Sequence, residues 1–269
     1  NIIRIDVAAD ARQLGVEPGA LPPTVDFATA RNEFYEAPTA LPTVYQGSIR
    51  LDLRRRDFTI NTLAIQISPA ARVGRILDPF GGLADLEVGV IRVLHSLSFV
   101  DDPTRVLRAI RFEHRLGFTI EPRTAALIRT SLPMLALITG ERVRHELDMI
   151  LQEARPEVAL FEMQKRGILQ AIHPGLRLSN RIGRHFRRVR AQARWLDGVK
   201  TDLIYWHLIG IYCGAENVPA VAERMMVGKT IGEAMLAAAR IAEAFDRLGD
   251  PAARPSRVAA ILDGMPRSA

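Results

Sequence analysis

Residues 101–112 read Asp-Asp-Pro-Thr-Arg-Val-Leu-Arg-Ala-Ile-Arg-Phe, and here the chain changes character. Asp101 and Asp102 supply helix-capping carboxylates, and Pro103 suits a first helical turn. Val106, Leu107, Ile110 and Phe112 then recur at helical spacing. Asp102, Arg105, Arg108 and Arg111 advance in steps of three, about 300° each, so in a helix they wind slowly as one ridge. A carboxylate and a guanidinium one turn apart can offer an acceptor and a donor to the edge of a base. The next two arginines can meet phosphates. The alternative is an amphipathic helix laced with i,i+3 ion pairs.

Beyond this stretch the pattern stays helical. Leu127–Leu137, Glu141–Leu151 and Val158–Ile172 read as helices, with breaks at Pro133, Gly140, Pro156 and Gly167. Residues 176–269 read as further helices with short polar links. Before the stretch, residues 1 to about 90 read as α+β. The run from Thr24 through Asp26 to Thr29 alternates like a strand, with Pro22, Pro23, Pro38 and Pro42 marking loops around it. Leu14–Pro23 reads as a loop. Phe58–Ile67 is apolar and fits a helix or a strand. Asp78-Pro-Phe-Gly-Gly82 is a turn whose glycines let backbone approach a ligand or a neighbouring element. It lacks the Lys and Thr of a P-loop.

The chain has 269 residues, 48% of them apolar, enough for a sizeable core. Its formal charge is +6 and its pI about 10.1. That favours a polyanionic partner. The cationic residues are almost all Arg, with Lys only at 165, 200 and 229. Guanidinium forks match phosphates and stack on bases, which suits RNA; an Arg-rich genomic composition explains the bias equally well. The single cysteine, Cys213, excludes a disulfide framework within the chain and fits a reducing cytoplasm. The apolar run Leu203–Cys213 is too short to span a membrane, and no signal peptide is apparent. The chain opens at Asn1 rather than Met, which reads as part of a longer protein.

Two more basic clusters stand out. Arg54-Arg55-Arg56-Asp57 runs straight into the apolar segment that contains Asn61. Three adjacent arginines there are hard to bury without an anion; Asp57 can orient Arg56 or accept from a ribose hydroxyl, and Asn61 offers both a donor and an acceptor. The other reading is a solvated charge cluster. Arg181–Arg194 is the densest basic segment, and as a helix it groups Arg184 and Arg188 on one side and Arg187, Arg190 and Arg194 on another. It can contact RNA phosphates or form a solvated face around Phe186 and Val189. The six histidines are scattered without metal-ligand spacing and read as structural or surface residues. Tyr205, Trp195 and Trp206 read as core.

Taken in order, VDFATARNEFY (25–35), DLRRRDFTINTLAI (52–65), DPFGGLADL (78–86), IRVL (91–94), DDPTRVLRAIRF (101–112) and GERVRHELDMIL (140–151) resemble the class II tRNA nucleotidyltransferase and bacterial poly(A) polymerase family. The resemblance implies an α+β palm, a mixed sheet with helices, over residues 1–92. A helical neck that recognises the base would span 93–152, and a helical RNA-binding body 153–269. It implies transfer of CMP or AMP from CTP or ATP to a tRNA 3′ end in the cytoplasm, with release of pyrophosphate, and an RNA rather than a DNA partner. Arg55, Arg56 and Asp57, with Asn61, would meet ribose and phosphates. Asp102 and Arg105 would read the base, with Arg108 and Arg111 supporting. Asp26 would be a catalytic, Mg²⁺-binding carboxylate, Asp52 its runner-up. Arg184, Arg187, Arg188 and Arg190 would hold RNA.

The family's palm also carries a Gly-rich segment and an Asp-x-Asp pair that binds two Mg²⁺. Neither is found: Ile5-Asp6-Val7 has one carboxylate, and Asp10 lacks the preceding glycines. The pair is expected outside these residues; the alternative is a degenerate, non-catalytic RNA-binding member. A poly(A) polymerase, or an enzyme adding only CC or only A, would share every motif above.

Overall fold

The computed structural model describes residues 2–6, 24–34, 43–179, 181–192, 201–248 and 256. The expected loop at Leu14–Pro23, Asp10, Trp195 and Arg194 lie outside the described residues.

The first part of the chain is built from short strands. β1 (Ile2–Asp6) pairs antiparallel with β2 (Thr24–Ala28), the strand expected from its alternation, so that Arg4 sits opposite Asp26. β3 (Arg31–Phe34) pairs antiparallel with β4 (Thr43–Gln46). α1 (Ile49–Arg54) follows, capped by Ser48, whose hydroxyl accepts from the Leu51 N–H. The ambiguous segment after it is neither a full helix nor a full strand. Phe58 bridges to Val93, Thr59–Thr62 form a 3-10 turn, and Ala64–Ile65 form β5, which pairs with β6 (Ile76–Leu77).

Asp78 makes the expected turn. Its carboxylate accepts from the Gly82 and Leu83 N–H groups at 2.7 and 3.0 Å, and so caps α2 (Gly82–Val88). Gly81 sits at φ 73°. A Cβ on Gly82 would collide with the Thr59 carbonyl oxygen. The glycine pair therefore serves close packing of α2 on the 3-10 turn. β7 (Val90–Ile91) pairs parallel with β8 (Thr119–Ile120). The fold class is α+β, as expected. Among the described residues, however, the strands form four separate two-stranded sheets rather than one mixed sheet.

Helices make the rest. α3 (Ser98–Asp101) is a single turn, and α4 (Thr104–Leu116) is the expected amphipathic helix, closed by Gly117. Its buried side, including Val106, Leu107, Ala109 and Ile110, packs on α6 (Gly140–Leu151) and α7 (Pro156–Lys165). Between them α5 (Pro122–Ser131) gives way to a 3-10 segment at Leu132–Leu137, because Pro133 has no N–H for the α-helical ladder. The expected helix over 158–172 is two, α7 and α8 (Ile168–Ile172), divided by Gly167 at φ 75°.

The remaining helices are α9 (Ile182–Gln192), α10 (Thr201–Cys213), α11 (Val218–Arg224) and α12 (Lys229–Leu248). Phe186 of α9 stacks on Tyr205 of α10 with ring centroids 4.2 Å apart, and the Trp206 indole donates to Asp148 of α6 at 2.9 Å. Tyr205 and Trp206 are core residues, as expected. One core runs from Phe58 and Ile91 through α4, α6 and α7 to Met235 and Ala239 of α12. Cys213 is buried, and burial pushes its thiol up to about 12, so it stays protonated and unreactive. No helix among the described residues is long and apolar enough to cross a membrane.

Gly82→Ala tests the α2 packing. The added methyl must displace backbone, and we expect a loss of roughly 1–3 kcal/mol in chemical denaturation. An unchanged midpoint would show that α2 shifts freely.

Candidate functional site

The site is assembled by α4 and the loop after α1. That loop carries Arg55, Arg56 and Asp57, and Asp57 is its hub. One carboxylate oxygen accepts from the Phe58 N–H at 2.9 Å and the Asn61 amide at 2.8 Å. The other accepts from Arg108 Nε of α4 at 2.8 Å, and Arg108 Nη2 lies 2.7 Å from it as an ion pair. Asp57 is 7% exposed. It therefore holds Asn61 and Arg108 and does not orient Arg56. Three residues earlier on α4, Arg105 donates to the Arg55 carbonyl oxygen at 2.6 Å and to the Ser98 hydroxyl at 2.8 Å. Two motifs 50 residues apart in sequence are thus bolted together by two arginines of one helix.

Arg108 also reaches Glu146 of α6 at 3.4 Å. Burial works against the Arg108 charge, but Asp57 and Glu146 outweigh it and raise its pKa above the ordinary value. Arg55 is held on its other side by Asp52 at 2.9 Å and Glu33 of β3 at 2.9 Å. Asp52 accepts the Arg31 N–H as well, so it is consumed by structure rather than offered to a metal. Arg56 is the open member: its side chain is 45% exposed, touching the Asn61 carbonyl at 3.2 Å and Asp52 at 3.6 Å.

Asp102 lies outside α4, at φ −141°, so the ridge expected from Asp102 to Arg111 begins only at Arg105. Its carboxylate caps the helix, accepting from the Thr104 N–H at 3.1 Å and hydroxyl at 2.6 Å. It also accepts from Arg142 of α6 at 2.7 Å. The side chains of Asp102 and Arg105 share no hydrogen-bond partner among the described residues. Arg105 is 6% exposed, whereas Asp102 lines an open cleft of about 470 Å³ with Thr104, Arg108, Arg142, His145 and Glu146. That volume falls in the range of small-ligand sites. Arg111 lies away from this cleft, buried beside Glu146 and Glu153 at 3.7 and 3.6 Å, and does not line it.

A second cleft, about 360 Å³, is lined by Ala28–Arg31, Val44–Gln46 and Arg55. Asp26 is exposed on β2, two residues from Ala28 and hence on the same strand face. On α9, Arg184, Arg187 and Arg188 are exposed around buried Ile182 and Phe186. Arg190 is not part of that open set: its guanidinium makes two 2.6 Å bonds to Glu157 of α7.

Sequence reasoning passed over Arg142 and Glu146 as individual residues, although the segment GERVRHELDMIL had been singled out. It also missed Glu33. The signal available was an Arg and a Glu one turn apart on the helix that faces α4.

The α+β part, through its Arg/Asp loop, is thus locked to the helix α4 beside an open polar cleft. Residues 5–92 match the poly A polymerase head domain, and residues 117–178 match the family described as a probable RNA and SrmB-binding site of polymerase A. The chain belongs to the poly(A) polymerase and class II tRNA nucleotidyltransferase family. It is 47% identical over 175 residues to an A-adding tRNA nucleotidyltransferase of Geobacter sulfurreducens, covering 64% of this chain and 20% of that protein. It is 38% identical over 186 residues to the A-adding tRNA nucleotidyltransferase of Halalkalibacterium halodurans, covering 66% of this chain and 43% of that one. A CCA-adding enzyme structure in an apo form superposes with a TM-score of 0.76 at 32% identity, over 91% of this chain and 59% of that one. The chain thus spans less than half the length of these curated relatives.

The Asp52–Arg55 pair yields a prediction. Burial pushes the Asp52 carboxyl up, but Arg55, the Arg31 N–H and Arg56 outweigh it and hold the pKa below 3.8. A carboxyl with a depressed folded pKa adds stability above its unfolded value and loses it as pH falls through the folded value. Asp78 and Glu157 are depressed too, by backbone N–H groups and by Arg190, each against burial. Stability should be level above about pH 5 and fall below about pH 4. Asp52→Asn should cost roughly 1–3 kcal/mol at neutral pH and make the acid-side fall shallower. Identical acid slopes for the two proteins would remove Asp52 from the account.

Proposed function

We propose that the protein adds CMP, AMP or both to a tRNA 3′ end without a nucleic-acid template, taking CTP or ATP and releasing pyrophosphate. The observation that carries this is the direct contact between the Arg55–Asp57 loop and α4. It fixes a triphosphate-type arginine set and the Asp102 cleft in one frame.

In this reading Arg56, the open arginine of the loop, meets phosphates, and Arg55, Asp57 and Asn61 hold that loop in place. Asp102 offers an acceptor to the base edge. Arg105, buried and bonded to the Ser98 hydroxyl and the Arg55 carbonyl, ties the start of α4 beside Asp102 to the loop. Arg108 lines the cleft and joins it to Asp57. Arg184, Arg187 and Arg188 supply phosphate contacts to RNA. Asp26 is the carboxylate assigned to chemistry. Residues 1–92 act as head, 93–152 as neck and 153–269 as RNA-binding body.

Mg²⁺ would activate the RNA 3′-hydroxyl and neutralise the leaving pyrophosphate. The residues here do not fit such a centre on their own. Asp52 and Asp57 are committed to arginines, and no group of three or more His, Cys, Asp or Glu gathers among the described residues.

The intact protein, incubated with tRNA ending before C74, C75 and A76 and with each labelled NTP, should extend at least one of these ends with CMP or AMP. Asp102→Ala should lose roughly 1–3 kcal/mol of base discrimination and begin to accept GTP and UTP. Failure to extend any end with any NTP would refute the activity, and unchanged selectivity in the variant would refute the role of Asp102.

A further inference from the structure

A second charged pocket lies at the other end of α4. His114 is ten residues beyond Thr104, so the two are roughly 15 Å apart along the helix axis. Arg111, His114 and Arg115 of α4 line it from one side; Glu153, Arg155 and Val158 line it from the α6–α7 link and the start of α7. Its volume is about 190 Å³, roughly the share of six liquid waters. That accommodates a tetrahedral oxyanion.

Two buried nitrogen atoms of this pocket lack a hydrogen-bond partner, as do the Glu146 and Glu113 Oε2 atoms near them. The Arg111 side chain is 5% exposed, and its Nε has no hydrogen-bond partner. Its two carboxylate neighbours stand at 3.6 and 3.7 Å, beyond hydrogen-bond length. The His114 Nε2 is buried and also has no partner. Three guanidinium groups and one carboxylate, Glu153, line the pocket; Arg111 and Arg115 approach Glu153 only loosely at 3.6 and 3.9 Å, and Glu146 stands behind Arg111 at 3.7 Å. The positive end of α7 points to the same place; Arg155 makes no cap bond there, and Glu157 is the one acidic residue of its first turn. Water can satisfy a lone donor, but it cannot offset the surplus of positive charge. A phosphate can do both, because its oxygens accept several bonds at once and carry the opposite charge.

We propose that this pocket binds a phosphate group, supplied either by an RNA backbone or by free inorganic phosphate. The proposal rests on the pocket's own geometry and stands or falls separately from the reaction assigned to the Asp102 cleft. His114 is its natural reporter. Burial lowers the His114 pKa; Glu113 and Glu162 oppose that, and Arg166 and Arg155 add to it. A bound anion beside the ring should raise it.

The test is a proton NMR titration of the histidine Cε1–H signals of the intact protein, with His114 assigned through His114→Gln. Inorganic phosphate at constant ionic strength should move the His114 signal saturably and raise its pKa. Arg115→Glu combined with Arg155→Glu, both at exposed positions, should weaken that response at least tenfold while leaving the other histidine signals in place. A short RNA lacking terminal phosphates should move the same signal if the phosphate is a backbone one, and leave it unmoved if the site takes the free ion. The proposal is overturned if neither phosphate nor RNA shifts His114 beyond what chloride does, or if the double variant responds like the wild type.

Discussion

The carboxylate of Asp57 accepts three hydrogen bonds, two within its own loop and one from Arg108, whose Nη2 also pairs with it, and the arrangement of the site depends on it. Without the Arg108 contact, an arginine-rich loop at the end of α1 would have no defined relation to the helix that begins at Thr104. With it, and with Arg105 gripping the Arg55 carbonyl, the loop and the helix form one rigid corner. The groups best suited to phosphates and those best suited to a base edge are then presented together.

The same pairing continues outward as alternating charge: Asp57, Arg108, Glu146, Arg111 and Glu153 follow one another from the head through α4 to α6 and the link beyond it. Taking these groups out of water costs several kcal/mol each before pairing returns it, so such a chain adds little net stability. Its value is directional. An apolar seam would let α4 slide or rotate on α6, whereas alternating charges penalise a shift of even one turn. The open, loosely paired end of this chain is where unsatisfied donors collect, around Arg111 and His114.

Much of this was legible in the residues. The alternation at Thr24–Ala28 became a strand, the Asp-Asp-Pro start and the apolar spacing after it became α4, and the Asp78 turn became a helix cap. The site's residue types were legible as well, but their partners were not. A one-dimensional spacing rule put Asp102 on the helix ridge, while one of its carboxylate oxygens serves just before the helix, on Thr104 and on an arginine 40 residues away. Arg111 and Arg190 looked like open cations because nothing local cancels them; Glu146, Glu153 and Glu157, which do, arrive only through packing of α6 and α7. The segment after Asp57 defeated periodicity because it is a bridge, a 3-10 turn and a two-residue strand in succession, each too short to set a period.

The central claim is that the Asp57–Arg108 contact makes one nucleotide site out of two motifs. A double-mutant cycle with Asp57→Asn and Arg108→Gln, read as ATP and CTP affinity of the intact protein, tests it most directly. The account predicts that either change alone weakens binding and that the double variant is no worse than the weaker single one, a coupling of roughly 1–3 kcal/mol. Additive losses, or affinities untouched by either change, would contradict it.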